Sequence, residues 1–274
     1  MEKIVNMKIS VIIPTYKPEK YIWDCLESLV GQTFPKSDFE VILVLNGCCE
    51  PYKKQIELFI KVKMAEMNVV FVQTDTAGVS NARNIAIDKA KGQFLTFIDD
   101  DDYVSPEFLE GLYMTANEET ISLCYPYAFK DGMPSVQLKY GLTDAYEQSY
   151  KNGCKGLSSK DRKFFSGPCM KLINKSFIQG RRFDVNFRNG EDSLFMFLIS
   201  DKIHKLALAP RSAVYFRRNR EDSAYRMKKS LTDKIENSFN LIIAYTKIYI
   251  FNFPKYSFHF YMTRILGAIK QVIV

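Results

Sequence analysis

Residues 78–102 read GVSNARNIAIDKAKGQFLTFIDDDD. Residues 78–90 of this stretch predict a helix, with Gly92 placed to close it as a C-terminal cap. Residues 94–98, FLTFI, predict a short buried strand. Four consecutive carboxylates, Asp99, Asp100, Asp101 and Asp102, stand at the end of that strand.

The same alternation continues upstream. KISVII (8–13) is a β-rich apolar run ended by Pro14. Pro18 then opens a helical pattern with Ile22, Leu26 and Leu29 on one face. EVILVL (40–45) predicts a second strand, residues 51–67 a helix, and NVVFVQT (68–74) a third strand. Ser105-Pro106-Glu107 is a cap signature for one more helix. Strands alternating with helices over residues 8 to about 127 predict an α/β fold. Its sheet should be mostly parallel, with helices on both faces. Beyond Tyr127 the pattern weakens: a turn at Asp131-Gly132, short helices, and a short strand at 212–216. Residues 228–274 predict two helices rich in Phe, Tyr, Ile and Leu with Lys and Arg interleaved.

In a parallel sheet, ligands bind beyond the C-terminal ends of the strands. Those ends carry Thr15 and Tyr16, Asn46, Asp75, and the aspartate quartet. Crowded carboxylates repel one another unless a cation is present, and Mg²⁺ or Mn²⁺ commonly bridges one or two carboxylates to phosphates. An acidic turn before a helix would explain the quartet alone; its place beside other polar strand ends favours a metal. Glu191 and Asp192 begin another expected helix, where capping is the simpler account. Arg217, Arg218 and Arg220 follow the strand at 212–216, either as surface charge or as a diphosphate clamp.

Composition bounds the rest. The chain has 274 residues, 47% hydrophobic and 25% charged, enough for one large α/β domain with an appendage. Net charge is +7, but residues 160–220 hold 14 Lys and Arg against 5 Asp and Glu, which points to an anionic partner or a solvated basic face. Six cysteines without a CxxC pair and only two histidines argue against a zinc site and for free thiols in the cytoplasm. No stretch reads as a signal peptide or a transmembrane helix. The loop PTYKPEK has no glycine, which argues against a nucleotidyltransferase.

These motifs together resemble the family 2 glycosyltransferases. The matching segments are SVIIPTYKPEKYIWDCLESLVGQTF, GVSNARNIAIDKAKGQFLTFIDDDD, KLINKSFI, FRNGEDSLF and YFRRNREDS, spread over residues 10–223 in the family's order. The resemblance implies a GT-A fold and an inverting, metal-dependent transfer of a sugar from a nucleotide-diphosphate donor, UDP-linked by default, to a hydroxyl acceptor. The acceptor expected is a saccharide or lipid-linked saccharide in surface polysaccharide synthesis. It implies that Thr15, Tyr16, Asn46, Asp75, Arg83, Asp100 and Arg218 bind the nucleotide sugar. Asp101 and Asp99 form the D-x-D metal element for Mn²⁺ or Mg²⁺. Asp192 is the implied catalytic base, with Glu191 next in line. The expected division is 1–223 catalytic domain (nucleotide half to about 127, acceptor half 128–223) and 224–274 helical extension. Nucleic acid is not expected as a partner. The extension suits contact with the inner face of a membrane, packing on the domain, or a homodimer contact. One departure stands out: Asn46-Gly47 replaces the family's usual second aspartate after strand two. A non-catalytic nucleotide-sugar-binding subunit is the alternative that this departure keeps open.

Overall fold

The computed structural model describes residues 7–153, 161–220 and 230–273. Eleven strands and nine α-helices are described, in chain order β1 Ile9–Thr15, α1 Tyr21–Val30, β2 Phe39–Asn46, α2 Tyr52–Lys63, β3 Asn68–Thr74, α3 Val79–Lys89, β4 Phe94–Phe97, β5 Tyr103–Val104 and α4 Phe108–Thr115. There follow β6 Thr120–Leu123, β7 Tyr125–Lys130, β8 Met133–Gln137, α5 Gly141–Asn152, β9 Lys171–Asn174, α6 Lys175–Ile178, α7 Glu191–Leu198, β10 Lys205–Leu208, β11 Val214–Asn219, α8 Leu231–Phe251 and α9 Phe258–Ile273. Cys154 and the expected boundary between 223 and 224 lie outside the described residues.

The main sheet has the order β10-β6-β9-β4-β1-β2-β3, parallel throughout except that β9 runs antiparallel to both neighbours. Its central strands are apolar on both faces because both faces are covered. Ile9, Val11 and Ile13 of β1 point into a core with α1, α2 and α4. Ile12 points into a second core with α3 and α7. Leu241, Tyr245, Phe260 and Ala268 place α8 and α9 in that second core, so the C-terminal helices are continuous with the α/β body. A smaller sheet, β5-β11-β7-β8, stands at the C-terminal end of the strands. No described helix is long and apolar enough to cross a membrane.

Several local expectations are corrected. The first helix starts at Tyr21, leaving Pro18 outside it, and the helix expected over 51–67 spans only Tyr52–Lys63. The cap of α3 is Ala90 in an extended conformation, so Gly92 has another reason to be glycine. A Cβ there would lie 2.5 Å from the Ser10 backbone nitrogen, so Gly92 lets the α3–β4 connection touch β1. Ser105 does not cap α4: its hydroxyl donates to Ser212 O at 2.6 Å and accepts from Val214 N at 2.8 Å, stitching β5 to β11. Arg217 and Arg218 lie within β11 rather than after it.

Candidate active site

The ends of β1, β2 and β4 are tied together by side chains. Asn46 is buried; its amide donates to Thr15 O at 2.7 Å, and its Oδ1 accepts from Gly78 N at 2.8 Å. Both ends of Asn46 therefore serve backbone, and the residue braces the floor of the site. Asn46 was expected to bind the nucleotide sugar; what the structure shows of it is this bracing of backbone. Gly47, at φ +65°, follows, and a Cβ there would press 2.4 Å against Ala77 Cβ. Tyr16 lies over this turn with half its surface exposed, and Asp75 is exposed with Gln73 as its partner at 2.8 Å.

The aspartate quartet does not behave as one cluster. Asp102 turns inward: it is buried, accepts from the Tyr215 hydroxyl at 2.8 Å and from Arg218 N at 2.7 Å, and has its pKa pushed well up by burial and by Asp101 and Asp99. Asp100 accepts from the Thr15 hydroxyl, and burial pushes its pKa up to about 7 against the lowering effect of that bond. Asp101 is also raised, by burial and by Asp99, and its carboxylate pairs with Arg220 at 2.7 Å. Asp99 is more open, with 45% of its side chain exposed against 23% for Asp101.

Asp99 and Asp101 are hard oxygen donors set two residues apart in an electronegative loop. Among the described residues no group of three or more acidic, histidine or cysteine side chains converges as an all-protein metal site. The donor set therefore fits a cation held by one or two carboxylates that completes its shell with phosphate oxygens, the usual arrangement for Mg²⁺.

Arg83, on α3, connects this loop to the other wall. Its Nη2 is 3.1 Å from Asp99 and its Nη1 is 2.5 Å from Asp192, and the guanidinium is almost wholly buried against Phe183. Burial opposes its charge, but the two carboxylates more than compensate and raise its pKa. Asp192 occupies the first turn of α7 beside Glu191. Its side chain makes no capping bond; Gly190, left-handed at φ +84°, occupies the cap. Burial raises the Asp192 pKa, while the charge of Arg83 pulls it back in part. Asp192 and Glu191 line a cleft of about 1010 Å³ that runs on to α8 and α9.

Arg218, expected to bind the nucleotide sugar, is held by protein groups in this structure. Its fork is fully engaged: Nε donates to Asp101 O at 2.9 Å, Nη1 to Asp131 at 3.0 Å and Nη2 to Asp24 at 2.7 Å, with Tyr21, Tyr103 and Phe129 around the guanidinium. It fastens β11 to α1 and the β7–β8 hairpin. Arg220, just past the end of β11, is the cation paired with the Asp101 carboxylate. The sequence reading took Arg217, Arg218 and Arg220 together as surface charge or a diphosphate clamp, and the family resemblance singled out Arg218 among them.

A family model described as glycosyl transferase family 2 matches residues 10–180, more than half of the chain. The chain is 28% identical over 250 residues to the minor teichoic acid biosynthesis protein GgaB of Bacillus subtilis, covering 90% of this chain and 27% of GgaB. It is 41% identical over 104 residues to the poly(ribitol-phosphate) beta-N-acetylglucosaminyltransferase TarS of Staphylococcus aureus, covering 38% of this chain and 18% of TarS. The chain thus spans under a third of the length of these relatives. The crystal structure of TarS 1-349 in complex with UDP-GlcNAc superposes with a TM-score of 0.74 at 23% identity, over 97% of this chain and 72% of that one. The mannosyltransferase PcManGT of Pyrobaculum calidifontis, in complex with GDP-Man and Mn²⁺, gives 0.61 at 15% identity, over 97% and 69%. These two likenesses establish the GT-A fold.

Proposed function

The chain belongs to glycosyl transferase family 2, and from that premise we propose that it moves a sugar from a nucleotide diphosphate, UDP first among the donors, onto a hydroxyl of a saccharide or lipid-linked saccharide acceptor, inverting the anomeric centre. The observation that supports this most is Arg83, whose one guanidinium holds Asp99 of the D-x-D loop and Asp192 at the mouth of the cleft. In this reading one side chain spans from the donor site to the general base.

The base reading follows from chemistry. Asp192 takes the acceptor's hydroxyl proton as that oxygen attacks the anomeric carbon, and the bond from that carbon to the donor's diphosphate oxygen breaks. Charge then gathers on the departing diphosphate, toward which Arg220 is the available cation beside Asp101. Asp101 and Asp99 would hold a divalent cation, Mn²⁺ or Mg²⁺, which supplies Lewis-acid stabilisation of the leaving group. Tyr16, exposed beside the β2 turn, is placed to lie against the base, with Thr15, Asp75 and Asp100 around the nucleotide. Glu191 is the reserve base.

Residues 1–223 form the proposed catalytic unit, with the acceptor half from 128, and 224–274 its helical extension. Because GgaB and TarS are named for teichoic acid and poly(ribitol-phosphate) chemistry, we place the reaction in cell-surface polymer synthesis at the cytoplasmic side of the membrane. Exposed Phe251, Phe253 and Phe258 on the extension offer a contact to that surface or to a second copy. The deciding experiment incubates the protein with Mn²⁺ and a panel of nucleotide sugars. Release of free nucleotide diphosphate, abolished by Asp192→Asn, supports transfer; donor binding without any release by the wild type leaves only a nucleotide-sugar-binding subunit.

A further inference from the structure

The cleft beyond Asp192 is electrically lopsided. Of its charged lining residues, the two acidic ones, Glu191 and Asp192, sit together at the start of α7. The remaining charges are all positive and come from three separate parts of the chain: Arg162 and Lys163 from the 3₁₀ turn before β9, Lys234 from α8, and Arg264 and Lys270 from α9. Convergence of five cations from distant elements on one cavity is unlike a solvated basic helix face, whose charges share one element.

Two of these cations are built in. Arg264 is 95% covered, with 5% of its surface exposed, yet among the described residues no carboxylate pairs with it. Its Nη2 donates to Phe165 O at 3.1 Å and Arg162 O at 3.3 Å, its Cζ lies 4.7 Å from the centroid of the Phe260 ring, and its Nε has no partner among the described residues. Burial and the neighbouring Arg162 charge lower its pKa to about 10. A buried, uncompensated guanidinium is costly unless an anion answers it. Arg162 lies beside it, donating to Thr263 O at 3.0 Å over Gly267, where a Cβ would come within 2.4 Å of its Nη1. Glycine on α9 leaves that guanidinium its room. Among the described residues Arg162, Lys163, Lys234 and Lys270 likewise have no ion-pair partner; Lys163 reaches only the Gly141 carbonyl at 3.4 Å.

We propose that this cleft binds an acceptor carrying phosphate groups, a phosphodiester-linked polyol chain, with Arg162 and Arg264 as the inner anion site and Lys163, Lys234 and Lys270 along the rim. Guanidinium groups match phosphate oxygens in pairs and ammonium groups add point charge, so the chain is gripped at its phosphates. A hydroxyl between two phosphates is then presented to Asp192. The inference rests on the glycosyl-transfer reading and puts the accepting hydroxyl on the phosphate-bearing chain in place of the saccharide taken there by default. A soluble chain is favoured over a lipid headgroup because the anion site lies inside the cleft that holds Asp192, on the same molecule as the accepting hydroxyl.

The test uses the full chain and a fluorescently labelled synthetic poly(glycerol phosphate), with no donor present. The expected result is saturable binding that weakens as salt rises from 50 to 300 mM, since exposed charges are screened. The Lys163→Gln, Lys234→Gln, Lys270→Gln triple variant is expected to lose at least tenfold in affinity. These side chains are at the rim, so the fold is retained, and stabilisation by a nucleotide sugar with Mn²⁺ should be unchanged. Arg264→Met, if it folds, should lose more. Equal binding by wild type and triple variant overturns the proposal. So does binding of the wild type to vesicles of anionic phospholipid with no binding to the polymer, which would assign the cations to a membrane. Because the polymer is measured without donor, its outcome is separate from that of the nucleotide-sugar panel: failure of the panel removes glycosyl transfer, and failure here removes only the phosphate-bearing acceptor.

Discussion

Asp192 and Arg83 form an ion pair in which the cation is buried to 4% exposure while the carboxylate keeps 31% of its surface open to the cleft. A guanidinium shared in this way fixes the carboxylate's direction without neutralising it, since Arg83 also serves Asp99.

Replacing Asp192 by Asn should therefore separate chemistry from structure. Asp192 makes no capping bond in α7, and Asn can still accept from Arg83, so the melting temperature should change little. Turnover should fall by about 10²–10⁴-fold, the usual contribution of general acid–base catalysis. Steady-state kinetics beside a donor-induced thermal shift measures both; a folded variant with near wild-type turnover would pass the role to Glu191.

The pH profile carries a second prediction. A base works when ionised, so kcat/KM is lost as pH falls through its pKa. Burial raises the Asp192 pKa and Arg83 opposes the rise. The acid limb should therefore lie above that of an ordinary aspartate. Arg83→Met removes the opposing charge, and the limb should move to still higher pH. An acid limb that stays in place in a folded Arg83→Met protein refutes the tuning.

Nucleotide diphosphate and cation should bind together. Affinity for UDP, by calorimetry, should fall at least tenfold in chelator, and Asp101→Ala should reproduce that loss without chelator. Unchanged affinity in both arms removes the cation from the donor site.

Arg218 and Arg220 should differ in kind. Arg218→Met strips partners from Asp24 and Asp131 and from the aromatic cage, and should lower stability by about 2–3 kcal/mol, allowing for the partial exposure of both carboxylates. Arg220→Ala should change stability by less than about 1 kcal/mol and weaken nucleotide diphosphate binding about tenfold, roughly 1.4 kcal/mol. Denaturant melts and calorimetry on the two variants distinguish them; matched behaviour contradicts the assignment.

What could be read from the chain followed the range of the forces involved. Buried strands such as VILVL and their polar ends announce themselves locally, because apolar runs and turn residues are adjacent in sequence. The family resemblance implied Asp192 as the base and Asp99 as part of the metal element. The pairings that define the site were not visible, since Arg83 meets Asp192 across 109 residues. Asn46 as a brace, Gly92 as a point of close approach and Ser105 as a stitch all depend on what lies alongside in space. Of the five cations of the cleft, only Arg162 and Lys163 belong to the excess of charge over residues 160–220; Lys234, Arg264 and Lys270 lie outside it.

One contact has a bearing on the order of synthesis. Leu241 of α8 fills the space above Gly190, where a Cβ would meet its Cδ1 at 2.6 Å, and the Tyr245 hydroxyl lies 2.7 Å from Ser193 Oγ. The helix that carries Asp192 is thus seated by residues made some fifty positions later. On a ribosome adding about 5–20 residues per second, the start of α7 is therefore made seconds before these two packing partners, and it gains them only once α8 has emerged and docked.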